Sequence, residues 1–457
     1  MDDRPAPPPR EGSLRLGELA GRRVGVWGHG REGRAAVRAA LAAGAAGVLV
    51  ADSRPLDLTT LPAGVTAAAG VADLAGCDVV FRSPGISPYR EDARDLARRT
   101  TVTTGTGVAL AEAAARGVPV LCVTGTKGKS TTSALAAAVL TAAGRPAVHV
   151  GNIGTPLLDV LLDDDGADRT LVVEVSSYQA AAVPDFAGRG ALTSLAPEHL
   201  DWHGSVQTYY RDKLRVFGAC PQRSVAVSAQ ARPLAERYLD PAQLVDPAEV
   251  VPPGLAGRVV PVHLPGAHNR SNLEVALAAA ALTGADLAAC ADAVAGAVAA
   301  FRALPHRLSP VAALGGVTFV DDTLSTTPVS VLAALDALAG RPVTLVAGGQ
   351  DRGLDYTGLA RALVDRREEV ALLTVPDTGA RLAADVRREA AGVPVRVTET
   401  ASLEEAVASA IATTPPGGVV LLSPGAPSYN RFRDFEELAA TYEQILVGAG
   451  AERVRAL

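Results

Sequence analysis

Residues 120–144, VLCVTGTKGKSTTSALAAAVLTAAG, join a short apolar run to a glycine-rich loop and then to an alanine-rich stretch. That order predicts a strand, a tight turn and a helix. Small residues in such a turn let backbone N–H groups close around a phosphate, and the following helix aims its N-terminus at the anion. The turn comprises Gly125, Thr126, Lys127, Gly128, Lys129, Ser130 and Thr131. Lys129 is placed to bridge the β- and γ-phosphates of a nucleoside triphosphate, and the Ser130 hydroxyl to hold Mg²⁺. The usual pattern has glycine five residues before Gly128; Val123 stands there, so the loop is a shortened variant.

The same alternation of strand and helix runs through the chain. RRVGVWGHGREGRAAVRAAL, VLVADS and CDVVFRSPGIS precede the phosphate loop; TLVVEVSSYQ and ALTSLAPEHLDWHGS follow it. From residue 305, GVTFVDD, PVTLVAGG, VALLTV and GVVLLSP are strands separated by helical stretches. With 457 residues the chain has room for about three domains. It is expected to form three α/β units on largely parallel sheets: Rossmann-like, phosphate-loop and Rossmann-like. The expected parts are a flexible tail at 1–14 and domains at 15–106, 107–304 and 305–457. A helix is expected at about 107–116, a linker-like region at 241–265 and a helical run at 271–302. Ligands in such sheets bind beyond the carboxyl ends of the strands, and the chemistry-bearing motifs of this chain lie at those ends.

Composition narrows the functional classes. Hydrophobic residues make up 48% and charged residues 20%, which excludes disordered and fibrous chains. No uncharged apolar run approaches the roughly 18 residues of a membrane helix, so no membrane insertion is expected and a cytoplasmic location is. The net charge of −6 argues against nucleic acid as a partner but permits a local phosphate site. The four cysteines are far apart and read as buried thiols of a reducing compartment. The seven histidines are dispersed, so any metal site must be assembled by the fold.

Basic residues are distributed unevenly by type. Only Lys127, Lys129 and Lys213 are lysine; the other 40 are arginine. Lysine offers a compact ammonium, a tunable pKa and a nucleophilic amine, none of which a guanidinium provides. Two of the three lie in the phosphate loop. The third, in TYYRDKLRVF, holds a place that this chain elsewhere gives to arginine. Glu174 ends the apolar strand LVVE, and a buried acid beside a phosphate loop is a natural Mg²⁺ ligand. His199, after another strand end, is either structural or a ligand. Gly28, Gly30 and Gly33 with Asp52 fit a dinucleotide fingerprint, the best case for an NAD(P)-dependent dehydrogenase. The phosphate loop has no place in such an enzyme.

GTKGKST, GNIG, VEVSSYQ, APEHLDWHGS, YRDKLRVF, PGAHNRSN, PHR, VDDTLSTTP and LLSPGAPSYNRFRDF occur in the order in which they stand in the Mur ligases. The chain resembles that family over nearly its whole length, and within it the branch that adds glutamate to UDP-N-acetylmuramoyl-L-alanine. The resemblance implies ATP-dependent ligation through an acyl phosphate, in cell-wall peptidoglycan synthesis, by an enzyme expected to be a monomer. It implies two Mg²⁺ ions, held by Ser130, Glu174, His199 and a carbamylated Lys213. Asn269, Asn272, Arg307 and Asp322 would contact ATP. Gly28, Gly30, Gly33, Asp52, Ser83, Gly85 and Asn152 would hold the UDP substrate. Folylpolyglutamate synthase shares the loop and the modified lysine but does not open with a UDP-binding domain of this kind. A nucleotide-binding switch fits three ligand sites poorly.

One departure bears on the amino acid. Ligases that add D-glutamate read Asp-Ser-Lys-Ala-Thr-Asn where this chain reads Asp322-Thr323-Leu324-Ser325-Thr326-Thr327. Losing that lysine removes a charge-assisted hydrogen bond, typically about 1.5–3 kcal/mol. Thr326, Ser428 and Phe435 match the remaining glutamate contacts, with Ser325 beside them. Arg352, Arg431 or Arg433 would supply a cation from another direction. STTP and QDRGLD resemble the branch that joins L-glutamate, so L-glutamate is the expected substrate; a D-glutamate enzyme with a compensating arginine is the alternative.

Overall fold

The computed structural model describes residues 14–163, 168–183, 186–428 and 431–454. The chain forms two compact units, one of residues up to Val260 together with Ser271–Ala299, the other of Pro261–Arg270 and residues from Ala300 onward. Among the described residues the strands make three sheets, two wholly parallel and one mixed, as the alternation of elements predicts.

The first unit holds the two parallel sheets. One runs in the order β3-β2-β1-β4-β5, from β1 (Arg23–Trp27), β2 (Gly47–Ala51), β3 (Val65–Ala67), β4 (Val79–Arg82) and β5 (Thr101–Thr103). The other contains β6 (Val120–Thr124), β7 (Ala147–Gly151), β8 (Thr170–Glu174), β9 (Arg189–Leu192), β10 (Val225–Val227) and β11 (Leu244–Val245). Its order is β11-β10-β9-β6-β8-β7. Helices cover both faces, so the central strands read as continuous apolar runs; Leu121, Cys122, Val123, Leu171, Val172 and Val173 are fully buried. Each such Val or Leu contributes roughly 1.5–3 kcal/mol through burial. Register then places the chemistry: Val123 pairs with Glu174 on one side and Ala191 on the other, so the phosphate loop emerges between those two strand ends.

The second unit holds the mixed sheet, order β16-β15-β14-β17-β13-β12-β18. Its strands are β12 (Ser309–Leu314), β13 (Val317–Asp321), β14 (Val343–Ala347), β15 (Val370–Thr374), β16 (Val397–Glu399), β17 (Val419–Leu422) and β18 (Glu452–Arg453). β12 is antiparallel to β13 and β18; the other pairs are parallel. β13, β17 and β14 are neighbours, so the loops after their carboxyl ends gather at one place.

Three local expectations are corrected. The helical run 271–302 is two helices, Ala267–Leu282 and Ala291–Ala300, separated by a turn that contains Gly284. The region 241–265 carries β11 and short helices at Pro247–Val250 and Pro253–Ala256, each with proline in its first turn. Leu14, assigned to the tail, packs into the core at 8% exposure, while residues 1–13 lie outside the described ones. No helix among the described residues is long and apolar enough to cross a membrane.

Candidate active site

The phosphate loop is shaped by its attachment to the turn after β9. Gly125 has φ +150°, and a Cβ there would lie 2.0 Å from Thr193 Oγ1 and 2.9 Å from the Ser194 backbone nitrogen. The Thr126 N–H donates to the Ser194 carbonyl at 2.7 Å, and the Lys127 N–H to Ser194 Oγ at 2.8 Å. Thr126 Oγ1 and the Tyr209 hydroxyl are 2.8 Å apart. The helix Lys129–Ala142 starts directly at the loop, with Ser130 and Thr131 buried in its first turn. Lys129 Nζ donates to the carbonyls of Gly125 and Thr126, at 3.1 and 3.0 Å. Asn272, on the helix Ala267–Leu282, offers its carbonyl to Thr132 Oγ1 at 3.4 Å. Asn269 is buried on the same helix and donates to the Pro265 carbonyl.

Glu174 is 1% exposed at the end of β8. Burial alone would raise its pKa. The polar groups of His149, Asn152 and Ser130 close by and the charge of Lys129 outweigh that and bring it down to about 2. Asn152 Nδ2 donates to Oε1 at 2.9 Å, whereas Oε2 has no hydrogen-bond partner within reach, His149 Nε2 standing 3.7 Å away. A buried carboxylate oxygen left over in this way fits a divalent cation. Among the described residues no three His, Cys, Asp or Glu side chains gather into a cage. Mg²⁺ does not require one, because one or two protein ligands suffice when phosphate oxygens and water complete the octahedron. Asn152, expected at the UDP substrate, is thus tied to the acid of the central site. The cause is register, since Gly151 of β7 pairs with Glu174 of β8.

Lys213 is 2% exposed in the last turn of the helix Val206–Leu214, and its Nζ donates to the Gly125 carbonyl at 2.8 Å. Burial, then the charges of Lys129 and Lys127, drive its pKa well below the usual lysine range, against the pull of Glu198 and Glu174. An uncharged amine is the nucleophilic form of lysine. Gly125 therefore receives both Lys129 and Lys213 on one carbonyl. His199 precedes the short helix Leu200–His203 in a left-handed conformation, φ +56°, with its ring 4.8 Å from that of Tyr178. Burial lowers its pKa to about 4 against the pull of Glu198, with the lysine side of the site, Lys129 and Lys127 included, opposing the imidazolium, so the ring is neutral near pH 7.

Lys127, for which the sequence suggests no contact beyond the loop, pairs with Glu198 at 2.6 Å. Sequence reasoning also misses His149 and a buried chain of polar groups between the two parallel-sheet regions. The Tyr89 hydroxyl donates to Asp212, His203 Nδ1 is 2.7 Å from Asp212, and His203 Nε2 is 3.0 Å from Ser177 Oγ. The only hint is their place beside SPGIS, SSYQ and Lys213.

At the first sheet, Gly33 must lack a side chain, because a Cβ there would lie 1.9 Å from the Gly28 carbonyl oxygen. Ser83 Oγ donates to that same carbonyl at 2.9 Å. Gly30 caps the helix Arg31–Ala42, whose open N–H groups suit a diphosphate. Asp52 accepts from the backbone of His29 and Arg54 and is lowered in pKa by those bonds against the cost of burial. The Gly85 carbonyl accepts from Trp202 Nε1 at 3.1 Å. Gly28, Gly30, Gly33, Asp52 and Ser83 thus share one end of the sheet.

In the second unit, Asp322 accepts from the Leu308 N–H at 3.1 Å and from Ser423 Oγ at 2.7 Å. Burial raises its pKa to about 6 in spite of the Ser325 and Ser423 hydrogen bonds. Arg307 lies between two left-handed non-glycine residues, His306 (φ +66°) and Leu308 (φ +47°). Strain of this kind, roughly 1–3 kcal/mol each, persists only where the surroundings enforce it. The Ser325 carbonyl accepts from the Gly425 N–H, and the Gln350 N–H donates to Pro427, so the loops bearing Ser325, Thr326, Arg352 and Ser428 run together. Arg352 is exposed and Leu324 half-buried. The Phe435 ring stands edge-on to His306, centroids 5.2 Å apart.

Residues 123–245 match the Mur ligase middle domain, and residues 306–425 the Mur ligase, glutamate ligase domain. A Micromonospora protein named UDP-N-acetylmuramoyl-L-alanine–L-glutamate ligase is 44% identical, covering 94% of this chain and 98% of its own. A Xanthomonas euvesicatoria protein of the same name is 39% identical, covering 94% and 96%. The UDP-N-acetylmuramate-alanine ligase of Thermotoga maritima shares the fold, with TM-score 0.57 at 17% identity over 94% of this chain and 100% of its own. By the matched domains and this near full-length similarity, the chain belongs to the Mur ligase family.

Proposed function

We propose that this enzyme joins L-glutamate to UDP-N-acetylmuramoyl-L-alanine at the expense of ATP, in the cytoplasmic stage of peptidoglycan synthesis. The observation that carries the reading is its similarity, over 94% of the chain, to relatives named for that reaction. Leu324 in place of the lysine of D-glutamate ligases agrees with it. The four cysteines are free thiols, as suits a reducing compartment.

The chain's own groups divide the work. The alanine carboxylate attacks the γ-phosphorus, ADP leaves, and an acyl phosphate forms. The glutamate amine then adds to the acyl carbon, gives up a proton, and phosphate departs with its C–O bond electrons. Such chemistry asks chiefly for positioning and charge neutralisation. Lys129 and the N–H groups of residues 125–131 orient the phosphates. Ser130 and the spare oxygen of Glu174 would hold one Mg²⁺, and neutral His199 with the carbamate of Lys213 a second; the ions supply charge neutralisation. Gly28, Gly30, Gly33, Asp52, Ser83, Gly85 and Asn152 would hold the UDP substrate. Asn269, Asn272, Arg307 and Asp322 would hold ATP. Ser325, Thr326, Arg352, Ser428 and Phe435 would hold glutamate.

The purified enzyme is expected to release phosphate and ADP only when ATP, UDP-N-acetylmuramoyl-L-alanine and glutamate are all supplied. ATP hydrolysis at an equal rate without the UDP substrate would overturn the ligase reading.

A further inference from the structure

Glutamate carries two carboxylates, and on this reading the loops after β13 and β17 would meet it with hydroxyls from Ser325, Thr326 and Ser428. Of the charged groups nearby, Arg352 is assigned to glutamate and two other arginines are paired elsewhere. Arg381 pairs with Asp351 at 3.0 Å and lies 5.1 Å from the Tyr356 ring, and Arg433 pairs with Glu437 at 3.4 Å. Leu324 contributes no charge.

His306 differs from all of these. Its Nδ1 is 2.7 Å from Asp321 Oδ2, and the other oxygen of Asp321 accepts the Thr323 N–H at 2.9 Å, so one carboxylate fixes both the ring and the start of the loop. The His306 carbonyl accepts the Leu324 N–H at 3.2 Å. Phe435 closes one side of the ring. Nε2, on the far edge of a side chain 23% exposed, makes no hydrogen bond to the described residues. The ring is held on one side, flanked by Phe435, which is assigned to glutamate, and open at its second nitrogen.

We propose that His306 is a glutamate-binding residue, its imidazolium donating from Nε2–H to a substrate carboxylate while Asp321 holds Nδ1–H. The inference rests on the glutamate reading and names a contact within it. The Asp321 hydrogen bond, followed by the charges of Asp321, Glu436 and Glu443, outweighs burial and raises the pKa of the ring. The raised pKa keeps the cation at higher pH than a free histidine would, and the contact is lost as pH rises through that value.

His306→Asn separates binding from structure. Asparagine tolerates the left-handed conformation, and its amide reaches Asp321 as Nδ1 does, but it has nothing at the position of Nε2. With the wild type, KM is first measured for L- and D-glutamate, and the preferred enantiomer is used throughout. In H306N its KM at pH 7 should rise about 10- to 100-fold, with KM for ATP and for the UDP substrate unchanged. The wild-type KM for glutamate should also climb with pH, and this dependence should be absent from the variant. A KM for glutamate within twofold of wild type, or an equal rise for ATP, would overturn the role of His306 whichever enantiomer is used. Preference for D-glutamate would overturn the enantiomer reading alone. Asp321→Asn is a second check: it should shift the rise in KM to lower pH, and an unshifted profile counts against the pair.

Discussion

Lys213→Ala should lower kcat by about 100- to 1,000-fold, and acetate should restore part of the loss. The residue is buried, its amine is driven toward the neutral form, and it sits on the carbonyl that also receives Lys129. A neutral amine adds CO₂, releases a proton to solvent and becomes a carbamate anion; an arginine in the same place keeps its charge and cannot. Lys213→Arg should therefore fail as badly as the alanine variant, although it preserves length and positive charge. A small carboxylate entering the space left by alanine replaces the missing anion. If Lys213 only braced the Gly125 carbonyl, acetate would restore nothing and arginine would be tolerated. That pattern of results would exclude the carbamate.

Gly125→Ala should reduce kcat/KM for ATP by about 100-fold, with the fold retained, because displacements near 1 Å cost that much in a positioned site. The added Cβ meets Thr193 Oγ1, which can rotate, and the Ser194 backbone nitrogen, which cannot. The backbone at φ +150° adds strain of roughly 1–3 kcal/mol for any side chain. The loop must shift, and with it the carbonyl on which both lysines converge. Titration with ATP, read beside a thermal melt, separates a damaged loop from an unfolded protein. Unchanged ATP kinetics would show that the loop is not built around that glycine.

What could be read from the chain follows the range of each interaction. The phosphate loop was legible because a strand, seven loop residues and a helix are contiguous. Lys213 was legible through scarcity, as one of three lysines among 43 basic residues. The partner of Lys127 was not, because Glu198 is 71 positions away and the two meet only when β6 and β9 pair. The bond from Asn152 to Glu174 was not legible either, because it follows from the pairing of β7 with β8, a register that local spacing does not encode. The break before Ala291 was hidden by an alanine-rich composition that favours helix on both sides of Gly284. The pairing of His306 with Asp321 was not legible, because it depends on β12 folding back antiparallel to β13.

The enantiomer of glutamate that is joined defines the enzyme. The direct measurement supplies ATP, Mg²⁺ and UDP-N-acetylmuramoyl-L-alanine with L- or D-glutamate separately at equal concentration, follows phosphate release, and determines the configuration of glutamate in the product. Faster release with L-glutamate and a product containing L-glutamate are predicted. Faster turnover with D-glutamate, incorporated unchanged, would contradict it.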